Sequence, residues 1–261
     1  MKRRRETEKQ SSSELRSAIE ELSLLAVMKL KHHHHHHDPV AANHQQNDTH
    51  LPIKPFLALC NFLLHLLDKI GPTMVVLRQD ISRNIQRLEK MQESDPKLYS
   101  NVVEILKKEA NEGTSRKVTS SSKAFLWLTR SLDFTVNLMT LIEQDSAVNM
   151  EEAVEEAYES TLKPWHGWIS STAYRVARKL VPDNKTMLEI LLSEAKDEEM
   201  LKDDLKTFTT LLIPLLDEIH SVLVRLLLTS NDPAILENWT FAKEYFSCKM
   251  VTNGLLWPTS N

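Results

Sequence analysis

Asp80, Asn84 and Arg87 set a carboxylate, an amide and a guanidinium at i, i+4 and i+7, which puts all three on one helix face. Such a row can grip a small polar object. Ile81, Ile85 and Leu88 recur with the same spacing as a stripe that buries. Two readings of the polar row stay open on spacing alone, a ligand-gripping patch and an ordinary solvated surface. Further along, Lys123 lies one turn before Trp127 and Arg130 one turn after it, and His166 stands between Trp165 and Trp168. A histidine and tryptophans in this setting serve either as structural core or as the polar mouth of an apolar cavity, the arrangement a binding protein needs.

Covalent chemistry has no such cluster to draw on. The serines fall in polar loops, Cys60 and Cys248 in apolar and tail contexts, and no HExxH or CxxC pair is present. Four glycines, at 71, 113, 167 and 254, cannot build a glycine-rich phosphate loop. The expectation is a non-enzyme with no cofactor and no native metal site. A net charge of −4 implies no steering towards nucleic acid. Cys60, inside an apolar helix, reads as an inert buried thiol.

The elements that must position these groups are helical. The 261 residues are 41% hydrophobic, poor in glycine and rich in Leu, Glu, Lys and Met. Periodicity and breakers predict helices over Glu14–Lys31, from Pro52 to a stop at Gly71-Pro72, from Thr73 to about Glu93, and over Lys97–Glu109, Lys123–Gln144 and Met150–Thr161. A helix with Pro164 in its first turn and Pro182 at its end follows, then Lys185–Ala195 and Leu201–Leu228, the last interrupted by Pro214. The helices before Gly71 and at Lys123–Gln144 are apolar on nearly all sides, as central helices are. Met150–Thr161 carries an acidic face and reads as a solvated helix. These count as about eight helices in one all-α domain, residues 13–228, with a disordered basic N-terminus, 1–12, and an aperiodic tail, 229–261. A polar loop at 32–52 holds six consecutive histidines, either an affinity tag or a gene-encoded low-complexity segment. MKRRRETEKQ is not a secretory signal, and the apolar run Phe56–Leu67 is too short to span a bilayer, so a soluble, cytosolic chain is expected.

In order along the chain, LRQDISRNIQRLEK, AFLWLTRSLDF and LKPWHGWI resemble the three signature stretches of the glycolipid transfer protein superfamily, most closely its plant members related to the accelerated-cell-death proteins. The resemblance spans roughly Ser13 to Val224. It implies a two-layer all-helical sandwich that encloses one sphingolipid, its head group at a surface patch and its chains in a collapsible apolar pocket. By that resemblance Asp80 accepts the ceramide amide N–H and His166 donates to the amide carbonyl. Asn84 and Trp127 follow the sugar-binding pattern, while Arg87 and Lys123 suit a phosphate. The ligand is thus a glycosylceramide or ceramide-1-phosphate. Trp165 and Trp168 would dock at a membrane interface or pack in the core, with Lys163, Arg175 and Arg178 on an anionic surface or as solvated charges. The implied protein is a monomer that meets membranes transiently and transfers lipid passively. Its competitor is an adaptor that keeps the fold without transfer, and the tail beyond about Val224 is where this chain departs from the family.

Overall fold

The computed structural model describes residues 14–34, 50–145, 147–192 and 197–229. Among them are nine α-helices, with bounds α1 Glu14–His34, α2 Ile53–Ile70, α3 Val75–Ser94, α4 Val102–Asn111, α5 Ser121–Gln144, α6 Met150–Thr161, α7 Trp168–Arg178, α8 Asn184–Leu192 and α9 Glu198–Thr229. Three short 3-10 turns join them, at Pro72–Met74, Leu98–Ser100 and Lys163–Trp165, and no strand appears among the described residues. The all-α expectation holds, with nine helices where about eight were predicted.

Local chemistry explains most of the boundaries. Gly71 ends α2 at φ 108°, a left-handed value that suits glycine, and its N–H reaches back to Leu67 O at 3.1 Å. Pro72 then opens a 3-10 turn, so α3 starts at Val75 and not at Thr73. The segment predicted as a helix from Lys97 divides at Asn101. The Asn101 side chain accepts from Val103 N at 3.1 Å to cap α4, and from Leu51 N at 3.0 Å to hold the approach to α2. Near Gly167 a second division was missed. Pro164 sits in a 3-10 turn, His166 and Gly167 are extended, and α7 begins only at Trp168. The polar loop predicted at 32–52 starts late, because His32–His34 continue α1; the rest of the histidine run, and the tail after Thr229, lie outside the described residues.

The chain divides into two compact units, the first ending at Ile219 and the second starting at His220, inside α9. Within the first unit α2 packs on α1 and α3, while α5 packs between α3 and α6, with α4 also against it. The core runs along these contacts. Phe125 of α5 is fully buried against Phe56 of α2, ring centroids 4.7 Å apart, and Phe62 of α2 meets the buried Phe208 of α9 at 5.4 Å. α9 has the length and hydropathy of a membrane span, but Leu205, Phe208, Leu212, Leu216 and Ile219 on it are buried, as on a core helix. Cys60 is fully buried and burial pushes its thiol far up, in line with the expected inert role.

A carboxylate from the preceding helix anchors the start of α5. Glu109 accepts from Ser121 N and Ser122 N at 2.8 Å each and from the Ser122 hydroxyl at 2.6 Å. Negative charge at a helix N-terminus is favourable, and orphan N–H groups there need partners. Glu109→Ala is therefore expected to destabilise the fold by about 1–2 kcal/mol. A urea midpoint that falls with an unchanged m-value would establish this; an unchanged midpoint would refute it.

Candidate functional site

Three elements bring the predicted polar groups together. On α3, Asn84 donates through Nδ2 to Asp80 Oδ2 at 3.4 Å, and Arg87 donates through Nη1 to Asn84 Oδ1 at 3.2 Å. The row is a hydrogen-bonded chain. Asp80 is exposed, Arg87 half-buried and Asn84 buried, so the amide is the fixed centre and the carboxylate its open end. Ile81, Ile85 and Leu88 are buried beside it, as their spacing predicts.

On α5, Trp127 and Arg130 are half-buried one turn apart, and Lys123 is half-buried one turn before Trp127. The Arg130 guanidinium lies between two indoles, 4.9 Å from the Trp127 ring centroid and 3.9 Å from that of Trp165. His166 rests against the other aromatic groups, 5.6 Å from the Trp127 ring and 5.5 Å from the Tyr158 ring. Burial and the nearby Arg130 charge hold the His166 imidazole below its ordinary value, and Asp80 pulls the other way. Asp80 on α3 and Arg130 on α5 thus act on the same histidine.

Trp165 and Trp168 have different surroundings. Trp165 is half-buried on Arg130, whereas Trp168, at the first position of α7, is 79% exposed. One turn before Asp80, Val76 is 77% exposed, a second exposed apolar group that the sequence did not single out. Arg178 is not available as a surface cation. It pairs with Glu151 at 3.1 Å and with Glu155, both on α6, and so fastens α7 to α6. Lys163 pairs with Glu159.

Tyr158 is the residue that sequence reasoning missed. It sits on α6, whose acidic face suggested a helix with no further part to play; the opposite face, Met150, Ala153, Val154, Ala157, Tyr158 and Thr161, is buried. The Tyr158 hydroxyl is 3.3 Å from His166 Nδ1. A tyrosine within an otherwise small-residue buried stripe was the available signal. Chemically the cluster offers a carboxylate acceptor, an amide, an imidazole, two guanidinium groups and an indole face, with no activated nucleophile among these groups.

A family model described as glycolipid transfer protein matches residues 51–193. The curated relative Glycolipid transfer protein 3 of Arabidopsis thaliana is 52% identical over 217 residues, which cover 83% of this chain and 91% of the relative. A structure from work on how FAPP2 selects simple glycosphingolipids using the GLTP-fold superposes with a TM-score of 0.61 at 22% identity, over 69% of this chain and 86% of that one. A mutant of Arabidopsis accelerated-cell-death 11 complexed with ceramide-1-phosphate superposes with a TM-score of 0.68 at 18% identity, over 82% and 96% of the two chains. Both superpositions establish the fold.

The depressed His166 pKa has a definite sign. Folding disfavours the protonated ring, so the unfolded chain binds the proton first as pH falls through the ordinary value of 6.5. The stability that neutral His166 allows is complete above that value and erodes below it. His166→Asn is expected to flatten the decline in stability between about pH 7 and 5 relative to the wild type, measured by urea unfolding across the range. Parallel curves for the two proteins would contradict the assignment.

Proposed function

The chain belongs to the glycolipid transfer protein family, and we propose that it takes up one sphingolipid at a time and carries it passively between membranes. In this reading it is a cytosolic monomer that meets membranes transiently, and no nucleotide, metal or covalent step is consumed. One observation carries the proposal: the hydrogen-bonded row on α3 and the Trp127–His166 pair are neighbours, with the Asp80 charge acting on His166. Asp80 is assigned to the amide N–H and His166 to the amide carbonyl, so that the pair reads the linkage separating a sphingolipid from a glycerolipid. A ligand lacking that amide leaves polar groups unmatched at about 1–3 kcal/mol each.

The head group follows from the neighbours. Trp127 offers an indole face and Asn84 a buried amide, both suited to a sugar. Arg130, whose charge would otherwise draw a phosphate, is covered by two indoles. Glycosylceramide is therefore the preferred ligand, consistent with a relative named as a glycolipid transfer protein. Ceramide-1-phosphate is the second choice, supported by Arg87 and Lys123. The exposed Trp168 and Val76 are assigned as the docking groups, while Trp165 lies on Arg130.

The apolar chains are assigned to an apolar cleft lined by Leu25, Phe56, Val102, Phe125, Leu215 and Ile219, whose free space is only about 10 Å3. Pockets that hold drug-sized ligands run to roughly 300–1,000 Å3. The helices must part to admit two hydrocarbon chains.

The test is transfer of fluorescent glucosylceramide and, separately, fluorescent ceramide-1-phosphate between phosphatidylcholine vesicles. Wild type is expected to move the glycolipid faster, and Asp80→Val to slow it at least about ten-fold, equal to about 1.4 kcal/mol. A folded protein that moves neither lipid would sink the transfer reading and leave the adaptor in its place. Separately, Trp168→Ala is expected to weaken vesicle partitioning by roughly 5–10-fold through lost indole burial, read by sedimentation. Unchanged partitioning would remove Trp168 from the docking role.

A further inference from the structure

Tyr158 is 3% exposed, and its ring stacks on Tyr174, centroids 3.4 Å apart and planes 8° from parallel. Tyr174 is held in turn, its hydroxyl donating to Val154 O at 3.1 Å. The Tyr158 hydroxyl is thereby placed with little freedom, 3.3 Å from His166 Nδ1 and 3.3 Å from Ser171 Oγ. We propose that Tyr158 is a positioning residue that fixes the tautomer of His166, occupying Nδ1 so that Nε2 carries the proton and is the donor.

A phenol has a single proton, so a neutral ring allows two arrangements. In the one proposed, the phenol donates to Nδ1 and its oxygen accepts from Ser171, whose hydroxyl rotates to suit; in the other, Nδ1–H donates to the phenol oxygen and the phenol donates to Ser171 Oγ. The phenol is a stronger donor than an aliphatic hydroxyl and the bare imidazole nitrogen a stronger acceptor than a hydroxyl oxygen, which favours the first, a relay from Ser171 to Tyr158 to His166 Nδ1 in which each bond polarises the next. The charged groups that face the imidazole are Arg130 on α5, which disfavours a second ring proton, and Asp80 on α3, which favours it; Tyr158 is the titratable group on α6. Burial sides with Arg130, so the ring is neutral near pH 7 and its two nitrogens are unlike.

The tautomer decides what the histidine can read. With the proton on Nε2 it donates to a carbonyl oxygen; in the other tautomer a bare nitrogen would face that oxygen and repel it. This second link rests on the proposed contact between His166 and the ceramide amide, whereas the tautomer itself does not.

Long-range 15N–1H correlation spectra of histidine-labelled protein at pH 7.5 test the first link without lipid. The wild type is expected to show His166 with Nδ1 bare and Nε2 protonated. Tyr158→Phe keeps the ring stack and removes the hydroxyl, and the Nδ1–H form is expected to rise. Tyr174→Phe, which leaves the Tyr158 hydroxyl in place, is expected not to change the ratio. Should Tyr158→Phe fail to fold, Ser171→Ala breaks the far end of the relay and is expected to move the populations the same way by less. A wild-type His166 protonated on Nδ1, or a ratio unmoved by both Tyr158→Phe and Ser171→Ala, would overturn the proposal. With glucosylceramide in phosphatidylcholine vesicles, Tyr158→Phe is expected to bind about ten-fold more weakly. The expected tautomers in a wild type that binds no glucosylceramide would uphold Tyr158 as the positioning residue and defeat the transfer function alone.

Discussion

The packing of α5 between α3 and α6 is the constraint on which the site depends. No single helix carries all of the polar groups in the cluster. The α3 row supplies hydrogen-bonding groups, α5 supplies an indole and a guanidinium, and α6 steadies the histidine that follows it. These become one site only because the buried faces of α5, through Phe125, Leu128 and Leu132, fix its separation from its neighbours. Close packing makes that separation hard to vary, since a core at crystal density resists small shifts. Glu109 adds to this by locking the first turn of α5, one residue before Lys123 and five before Trp127.

Much of this was legible in residue types and spacing. The Ile81, Ile85 and Leu88 stripe set the orientation of α3 and hence the side on which Asp80, Asn84 and Arg87 stand. The three signature stretches gave the family, and the low glycine content gave the fold class. What spacing could not give was anything that depends on a third element. That Asn84 is buried, while Asp80 four residues earlier is exposed, follows from the neighbouring helix. Tyr158 was hidden because an acidic face speaks only for one side of a helix, and its role appears when the chain doubles back to place His166 beside it.

Breaks were harder to read than helices. Pro164 was expected within the first turn of a regular helix, the position where proline is tolerated. Instead the chain makes a single 3-10 turn and then runs extended through His166 and Gly167. That interruption turns Trp165 inward onto Arg130 while Trp168 emerges at the surface, so two neighbouring tryptophans acquire different work. Arg178 makes a similar point about charge. In sequence it was one basic residue among several near a docking surface; in the fold two glutamates on α6 claim it, and it serves to hold α7 down.

The small size of the apolar cleft has a consequence for how selectivity is divided. The side chains that line it touch one another and leave no large void, so this region is packed like an ordinary core. On the proposed function, loading would exchange contacts among side chains for contacts with hydrocarbon, two kinds of nearly equal strength. Such an exchange distinguishes poorly between one alkyl chain and another. In that reading discrimination would fall to the polar groups of α3 and α5, whose donors and acceptors already hold one another in place: a forgiving interior beside an exacting polar cluster.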